Sequence, residues 1–85
     1  MYYVYVLKSQ SARNWHYIGS CRDPSERMTS HNRGKVRSTK GYRPLELIHK
    51  ETYPTRSQAY RREMFYKTAK GKAVLKERLL KLGVW

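Results

Sequence analysis

The amino-acid sequence predicts an α+β domain: a small three-stranded antiparallel sheet flanked by helices, in the order β-β-α-β-α-α. Three observations lead there. Residues 2–7 and 15–20 are rich in aromatic and β-branched side chains and are joined by a short polar link, which favours an antiparallel hairpin. A third alternating segment, residues 45–53, stands well apart from them. Between and after these segments lie stretches opened by helix-capping residues. With 85 residues the chain is expected to form one domain, 1–85, burying about 60% of its unfolded surface around one modest core.

The elements follow in order. Tyr2-Tyr3-Val4-Tyr5-Val6-Leu7 has no polar break, as in a strand buried on most of both faces. A period of two puts Tyr3, Tyr5 and Leu7 on one face and Tyr2, Val4 and Val6 on the other. Residues 9–14 form a polar connection, and residues 15–20 a second strand with Trp15, Tyr17 and Gly19 on one face. Asp23-Pro24-Ser25-Glu26 then opens a helix. Asp23 can cap free N–H groups, Pro24 suits the first helical position, and the charge of Glu26 suits the N-terminal dipole. This helix is expected to run to about Asn32 and stop near Gly34.

Residues 33–43 hold Arg33, Lys35, Arg37, Lys40 and Arg43 with no acid, and with Gly34 and Gly41 they read as a mobile basic loop. The third strand alternates Leu45, Leu47 and His49 against Glu46, Ile48 and Lys50, and Pro54 ends it. Thr55-x-x-Gln58 resembles a capping box and opens a helix to about Ala69. Gly71 is expected to break it, leaving residues 73–82 as a last helix with Val74 or Leu75, Leu79 and Leu82 as its apolar stripe.

Composition narrows the function. Apolar residues make up 39% and charged residues 29%, with eight Tyr, two Trp and one Phe, so the chain reads as a folded domain and not a disordered tail. No apolar run approaches the roughly 20 residues of a membrane span, and the start does not resemble a signal peptide. Cys21 is the only cysteine, which excludes an internal disulfide and a cysteine-based zinc site, and points to an intracellular, cytoplasmic protein. Nineteen Lys and Arg against six Asp and Glu give a formal charge of +13. Such a field draws polyanions, with nucleic acid the leading partner.

Several constellations could carry chemistry on phosphate. Tyr5 and Tyr17 lie on adjacent strands with phenols on one face, each able to donate and accept a hydrogen bond; sheet packing is the plainer explanation of both. Arg27 and His31 are four residues apart on the first helix and share a face. An arginine there can bind phosphate bidentately and a histidine can donate to it or move a proton, unless the pair is simply a solvated helix face. His16 and His49 read as structural or surface residues. Glu63 falls on the inward stripe of a basic helix with Ala59 and Tyr66. A lone carboxylate there is costly unless it is paired with an arginine or bound to a metal such as magnesium, whose shell water and phosphate can complete.

Taken together, these residues resemble the GIY-YIG nuclease superfamily. Tyr3-Val4-Tyr5 and, twelve residues on, Tyr17-Ile18-Gly19 are similar to its paired signature. Arg27, His31 and Asn32 follow one helix later, then the basic loop. Glu63, within Tyr60-Arg61-Arg62-Glu63-Met64-Phe65-Tyr66-Lys67, is similar to the family's metal-binding glutamate. Lys67-Thr68-Ala69-Lys70-Gly71-Lys72 resembles the tail of its small stand-alone bacterial members. The resemblance covers nearly the whole chain. Two positions depart from it: Tyr3 stands where the signature has glycine, and Ser20 where some relatives have lysine, with Arg22 the nearest substitute.

The resemblance implies an antiparallel sheet flanked by helices and a single-metal hydrolysis of a phosphodiester. It implies that Glu63 holds Mg2+ or Mn2+ against the scissile phosphate and that Arg27 stabilises transition-state charge. Tyr17, helped by Tyr5, would activate or orient water, and His31 would assist proton transfer or position phosphate. A phenol with a pKa near 10 is only about 0.1% ionised at pH 7, which makes the charge-stabilising roles the stronger ones. Arg22, Arg33, Lys35, Arg37, Lys40, Arg43 and Lys67 would contact the nucleic-acid backbone.

Three functions compete. The first is a metal-dependent endonuclease acting on DNA, including flaps, branches or damaged strands, with RNA as the other polyanion. The second is a nucleic-acid-binding module that keeps the fold and cuts nothing. The third is a ribosome-associated protein. Tyr17, Arg27 and Glu63 together favour the enzyme, because a pure binder gains nothing from a carboxylate beside phosphate. A monomer is expected, with target preference coming from nucleic-acid shape or a partner protein.

Overall fold

The aromatic and β-branched run at the start of the chain becomes the central strand. In the computed structural model, which describes residues 1–85, β1 (Tyr2–Ser9) pairs antiparallel with β2 (His16–Cys21) on one side and β3 (Leu45–Tyr53) on the other. The sheet order is therefore β2-β1-β3. Val4, Tyr5, Val6 and Leu7 are all buried because a central strand is covered on both faces. Tyr5 lies opposite Gly19 and Leu7 opposite Tyr17, so the two tyrosines are diagonal neighbours rather than a direct cross-strand pair.

Three helices complete the expected β-β-α-β-α-α order: α1 (Pro24–Asn32), α2 (Arg56–Tyr66) and α3 (Ala69–Lys81). Each begins where a side-chain oxygen accepts from a backbone N–H of the first turn. Asp23 takes that of Glu26 at 3.2 Å, Thr55 that of Gln58 at 3.2 Å, and Thr68 that of Gly71 at 3.0 Å. Such caps stabilise a helix by about 1 kcal/mol.

The last two helices depart from the sequence expectation. The second ends at Tyr66 instead of near Ala69, and the third starts at Ala69 instead of 73. Gly71 therefore breaks nothing; it is buried in the first turn of α3, against the end of α2. A Cβ there would run into the Phe65 carbonyl group, so glycine serves the close approach of two helices. The apolar stripe of α3 is Leu75 and Leu79, while Val74 and Leu82 are exposed. The basic stretch 33–43 is also more ordered than expected. It holds a short 3-10 turn, Lys40–Tyr42, and Thr39 beside that turn is fully buried.

The sheet has a core on each face. Val4, Val6 and Ile18 pack with Ala59, Tyr66, Leu75 and Leu79 from α2 and α3. Tyr5, Leu7 and Leu45 form the smaller core on the α1 side, with Trp15, Tyr17, Met28 and Leu47 around them. Each buried aliphatic side chain adds about 1.5–3 kcal/mol. Glu51 ties β3 to the helices, accepting from the hydroxyls of Tyr53 and Tyr66 with Arg62 and Arg78 nearby. Burial pushes its carboxyl pKa up, but hydrogen bonds from Tyr53, Tyr66 and His49 outweigh this and hold it low. No helix is long and apolar enough to cross a membrane.

Candidate active site

Strand β2 lies at the edge of the sheet, so side chains on either face reach the same rim. Tyr17 points to the α1 side. Ser20, opposite Val4, points to the α2 side. The predicted site residues gather around this edge from both directions.

On the α1 side the centre is the Tyr5 hydroxyl. It lies 2.9 Å from His31 Nε2 and 3.4 Å from Arg27 Nε, which donates to it. The four-residue spacing of Arg27 and His31 on α1 brings both to one oxygen, as a shared helix face predicts. Their exposures differ, however. Arg27 is exposed, while His31 has no accessible surface, so the pair is not the evenly solvated face that the sequence also allowed. Burial, followed by the Arg27 charge, lowers the His31 pKa to about 4, leaving the ring neutral at pH 7. Burial likewise pushes Tyr5 up to about 12, against the pull of Arg27, so its phenol keeps its proton.

Gly19 makes this arrangement possible. The Tyr5 phenol lies across it, and a Cβ at position 19 would stand 2.5 Å from the hydroxyl oxygen and 2.6 Å from Cζ. Tyr17 closes the group: its ring centroid is 6.3 Å from that of Tyr5 and 5.4 Å from that of His31, the latter edge-on. The half-buried Tyr17 is stacked in turn on Trp15, and Trp15 on Tyr42 of the basic segment.

On the α2 side stands Glu63, only 9% exposed, on the inward stripe with Ala59 and Tyr66 that its spacing predicts. Oε1 accepts from Ser20 Oγ at 2.5 Å and Oε2 from Lys67 Nζ at 2.8 Å. The same ammonium lies 5.9 Å from the centre of the Tyr17 ring, so Lys67 links the two halves of the site. The sequence reading places Lys67 among backbone contacts; here it neutralises Glu63. It also overlooks Ser20 as a partner of Glu63, although strand alternation puts Ser20 on the face opposite Tyr17. Thr39, 2.8 Å from His31 Nδ1, is overlooked as well. Nothing local in an acid-free loop signals that contact.

Nowhere do three or more His, Cys, Asp or Glu side chains group as a ready metal cage. Glu63 with the Ser20 hydroxyl nevertheless suits a hard cation that takes one protein carboxylate and fills its shell with water and phosphate. Lys67 already marks the spot as one that attracts positive charge.

Of the remaining predicted cations, Arg22 borders the site and the others lie along the basic segment. Arg22 is exposed and borders two hollows, one with Ser20, Arg56 and Tyr60 and the other with Arg27 and Ser30. Arg33, Lys35, Arg37 and Lys40 are exposed along the basic segment. Arg43 is turned back on the chain: its Nε donates to the Lys40 carbonyl at 2.9 Å and its guanidinium lies against Gly34. It closes the segment on itself.

Comparison with known proteins agrees with this geometry. Residues 1–78 match the GIY-YIG catalytic domain. A UPF0213 protein of Staphylococcus epidermidis is 40% identical over 68 residues, covering 79% of this chain and 80% of the relative. A UPF0213 protein of Staphylococcus aureus strain N315 is 37% identical over the same shares of both chains. No solved structure gives a significant match. With the paired tyrosine strands, the Arg27 helix and the inward Glu63 all in place, the chain belongs to the GIY-YIG family and has its nuclease-type fold.

Proposed function

We propose that this protein is a divalent-metal-dependent endonuclease that hydrolyses phosphodiester bonds in DNA, with structured or damaged DNA as its target. The observation that carries the reading is Glu63, a buried carboxylate whose Lys67 partner lies 5.9 Å from the Tyr17 ring, in a chain of net charge +13. A carboxylate next to phosphate repels it unless a cation intervenes, so a chain built only to bind nucleic acid has no use for one there.

Hydrolysis requires water to attack phosphorus and pass its proton to surrounding water, and the P–O bond to break with the leaving oxygen taking a proton from solvent. Glu63, with Ser20 beside it, would hold Mg2+ or Mn2+, which supplies positive charge at the scissile phosphate and the leaving oxygen. Lys67, an exposed i,i+4 partner, swings off Glu63 and turns its charge to the phosphate backbone. Arg27 keeps its Nε on Tyr5 and offers its terminal amino groups to the phosphate oxygens, an electrostatic contribution of about 100-fold or more in rate. Tyr17, on the accessible side of the pair, orients the attacking water. Tyr5 and His31 are buried and act by holding Arg27 instead of meeting the substrate. Arg22, Arg33, Lys35, Arg37 and Lys40 follow the backbone on either side and carry no sequence preference, so target choice falls to DNA shape or a partner protein.

One observation favours a second reading, a binding module that has kept the fold without cutting. Both Glu63 oxygens already have partners, Ser20 and Lys67, which satisfies the carboxylate with no metal. Cleavage of a labelled panel separates the two. Single-stranded, duplex, flapped and branched DNA and RNA are incubated with Mg2+ or Mn2+ and either wild type or Glu63→Ala. Metal-dependent cutting that disappears in Glu63→Ala, with DNA binding equal or tighter, is the expected result. Binding without cutting across the panel favours the second reading, and wild-type cleavage by Glu63→Ala removes Glu63 from the chemistry.

A further inference from the structure

Thr39 is the one residue of the basic segment 33–43 that is wholly buried, and its hydroxyl is spent on His31. Four polar groups run in a line from it: Thr39 Oγ1, 2.8 Å from His31 Nδ1; His31 Nε2, 2.9 Å from the Tyr5 hydroxyl; and that hydroxyl, 3.4 Å from Arg27 Nε. A neutral imidazole carries one N–H, and the hydrogen bond made by one nitrogen sets the role of the other.

Two directions are conceivable along the line, and they are not equivalent. Arg27 can only donate, so the Tyr5 oxygen accepts from it. If Tyr5 donates to His31 Nε2, then Nδ1 carries the proton and donates to Thr39, whose own proton goes to the Val36 carbonyl, 3.4 Å away. Every donor then has an acceptor. In the reverse direction Nε2–H and Arg27 Nε–H both aim at the Tyr5 oxygen. The Tyr5 proton is then left without an acceptor in a side chain that is 2% exposed. An unmatched buried donor is costly, and only the first direction avoids it.

We infer that Thr39 is a positioning residue: its hydroxyl holds His31 in the Nδ1–H tautomer, so that Nε2 accepts from Tyr5 and Tyr5 in turn fixes Arg27. Thr39 never reaches substrate. It acts through His31 and Tyr5 on the guanidinium that meets phosphate, and in this it rests on the nuclease reading above. The position is also informative. Arg37 and Lys40 flank Thr39 in sequence, so the segment that would grip the nucleic-acid backbone is the one that sets the tautomer.

The test begins without substrate. Nitrogen-15 shifts of the His31 ring in the free protein at pH 7 distinguish the two neutral tautomers. The expected result is Nδ1–H in wild type, a shift towards Nε2–H in the near-isosteric Thr39→Val, and return to Nδ1–H in Thr39→Ser. An Nε2–H ring in wild type, or an unchanged ring in Thr39→Val, overturns the inference. If Thr39→Val does not fold, the wild-type and Thr39→Ser spectra still decide it. Turnover on the substrate cut best in the panel is the second readout. We expect kcat in Thr39→Val to fall about 10-fold or more with KM for DNA unchanged, and Thr39→Ser to recover most of the rate. A rise in KM with kcat intact would make Thr39 a binding residue and overturn the positioning role. If wild type cuts nothing, the nuclease reading fails while the ring spectra still judge the tautomer.

Discussion

Replacing Gly19 with alanine probes the packing on which the candidate site depends. The added carbon would stand 2.6 Å from Tyr5 Cζ and 3.1 Å from Tyr17 Cε2. Carbon atoms settle at about 3.5 Å or more, so the overlap with Tyr5 is about 0.9 Å. Tyr5 is 2% exposed and bound at its hydroxyl to His31 and Arg27, which leaves little room for a shift. Moving the ring by about 1 Å takes the His31 bond beyond hydrogen-bonding range. The cost then combines overpacking strain of about 1–3 kcal/mol with about 1–3 kcal/mol for a buried polar group left unmatched. A total near 3 kcal/mol corresponds to a fall of about 12–24 °C in Tm for a domain of this size. Arg27 loses its support, so cleavage is expected to drop at least about 10-fold. Thermal and urea unfolding of Gly19→Ala read the first effect and the substrate panel reads the second. A control is Gly19→Ala in a Tyr5→Leu background, where the shorter side chain does not reach residue 19 and the extra cost should be below about 1 kcal/mol. A single variant with wild-type Tm and turnover would refute the packing argument. So would an equal cost in both backgrounds.

Two further outcomes are expected. His31 has its pKa lowered from the ordinary 6.5 to about 4, so protons bind the unfolded chain first. Its effect is absent above about pH 6.5, stability is lost as the pH falls through that value, and the loss levels off below about pH 4 at about 3 kcal/mol. Urea-unfolding free energies from pH 8 to 4 should show this slope in wild type and lack it in His31→Gln; parallel curves would remove His31 as its source. Lys67→Met takes an ammonium off Glu63 Oε2, from which it stands 2.8 Å. An ion pair worth about 0.5–1 kcal/mol translates into Mn2+ binding about 2–5-fold tighter by calorimetric titration, and unchanged or weaker binding would place the cation elsewhere.

Much of the fold and part of the site were legible in the sequence because they rest on local periodicity. Alternation in residues 2–7 separated Tyr5 from Val4 and Val6, and helical spacing put Ala59, Glu63 and Tyr66 on one stripe before any contact was known. Where a boundary depends on how elements meet, local signals misled. Gly71 looks like a helix breaker because glycine weakens helices, yet here it admits the end of α2. Residues 33–43 look like a loose loop because charge and glycine dominate them, yet Thr39 is buried.

By itself the sequence determined the element order, a first strand buried on both faces, the +13 field and the presence of Tyr5, Tyr17, Arg27, His31 and Glu63 at family-like spacing. These follow from residue type and from the periods of strands and helices. Only the tertiary structure decided which of those side chains meet. It placed β2 at the sheet edge, sent Arg27 and His31 to one phenol, gave Glu63 to Ser20 and Lys67, and brought Thr39 beneath the site. Those contacts join residues up to 43 positions apart, and packing across two faces of a sheet, which no local pattern encodes, is what sets them.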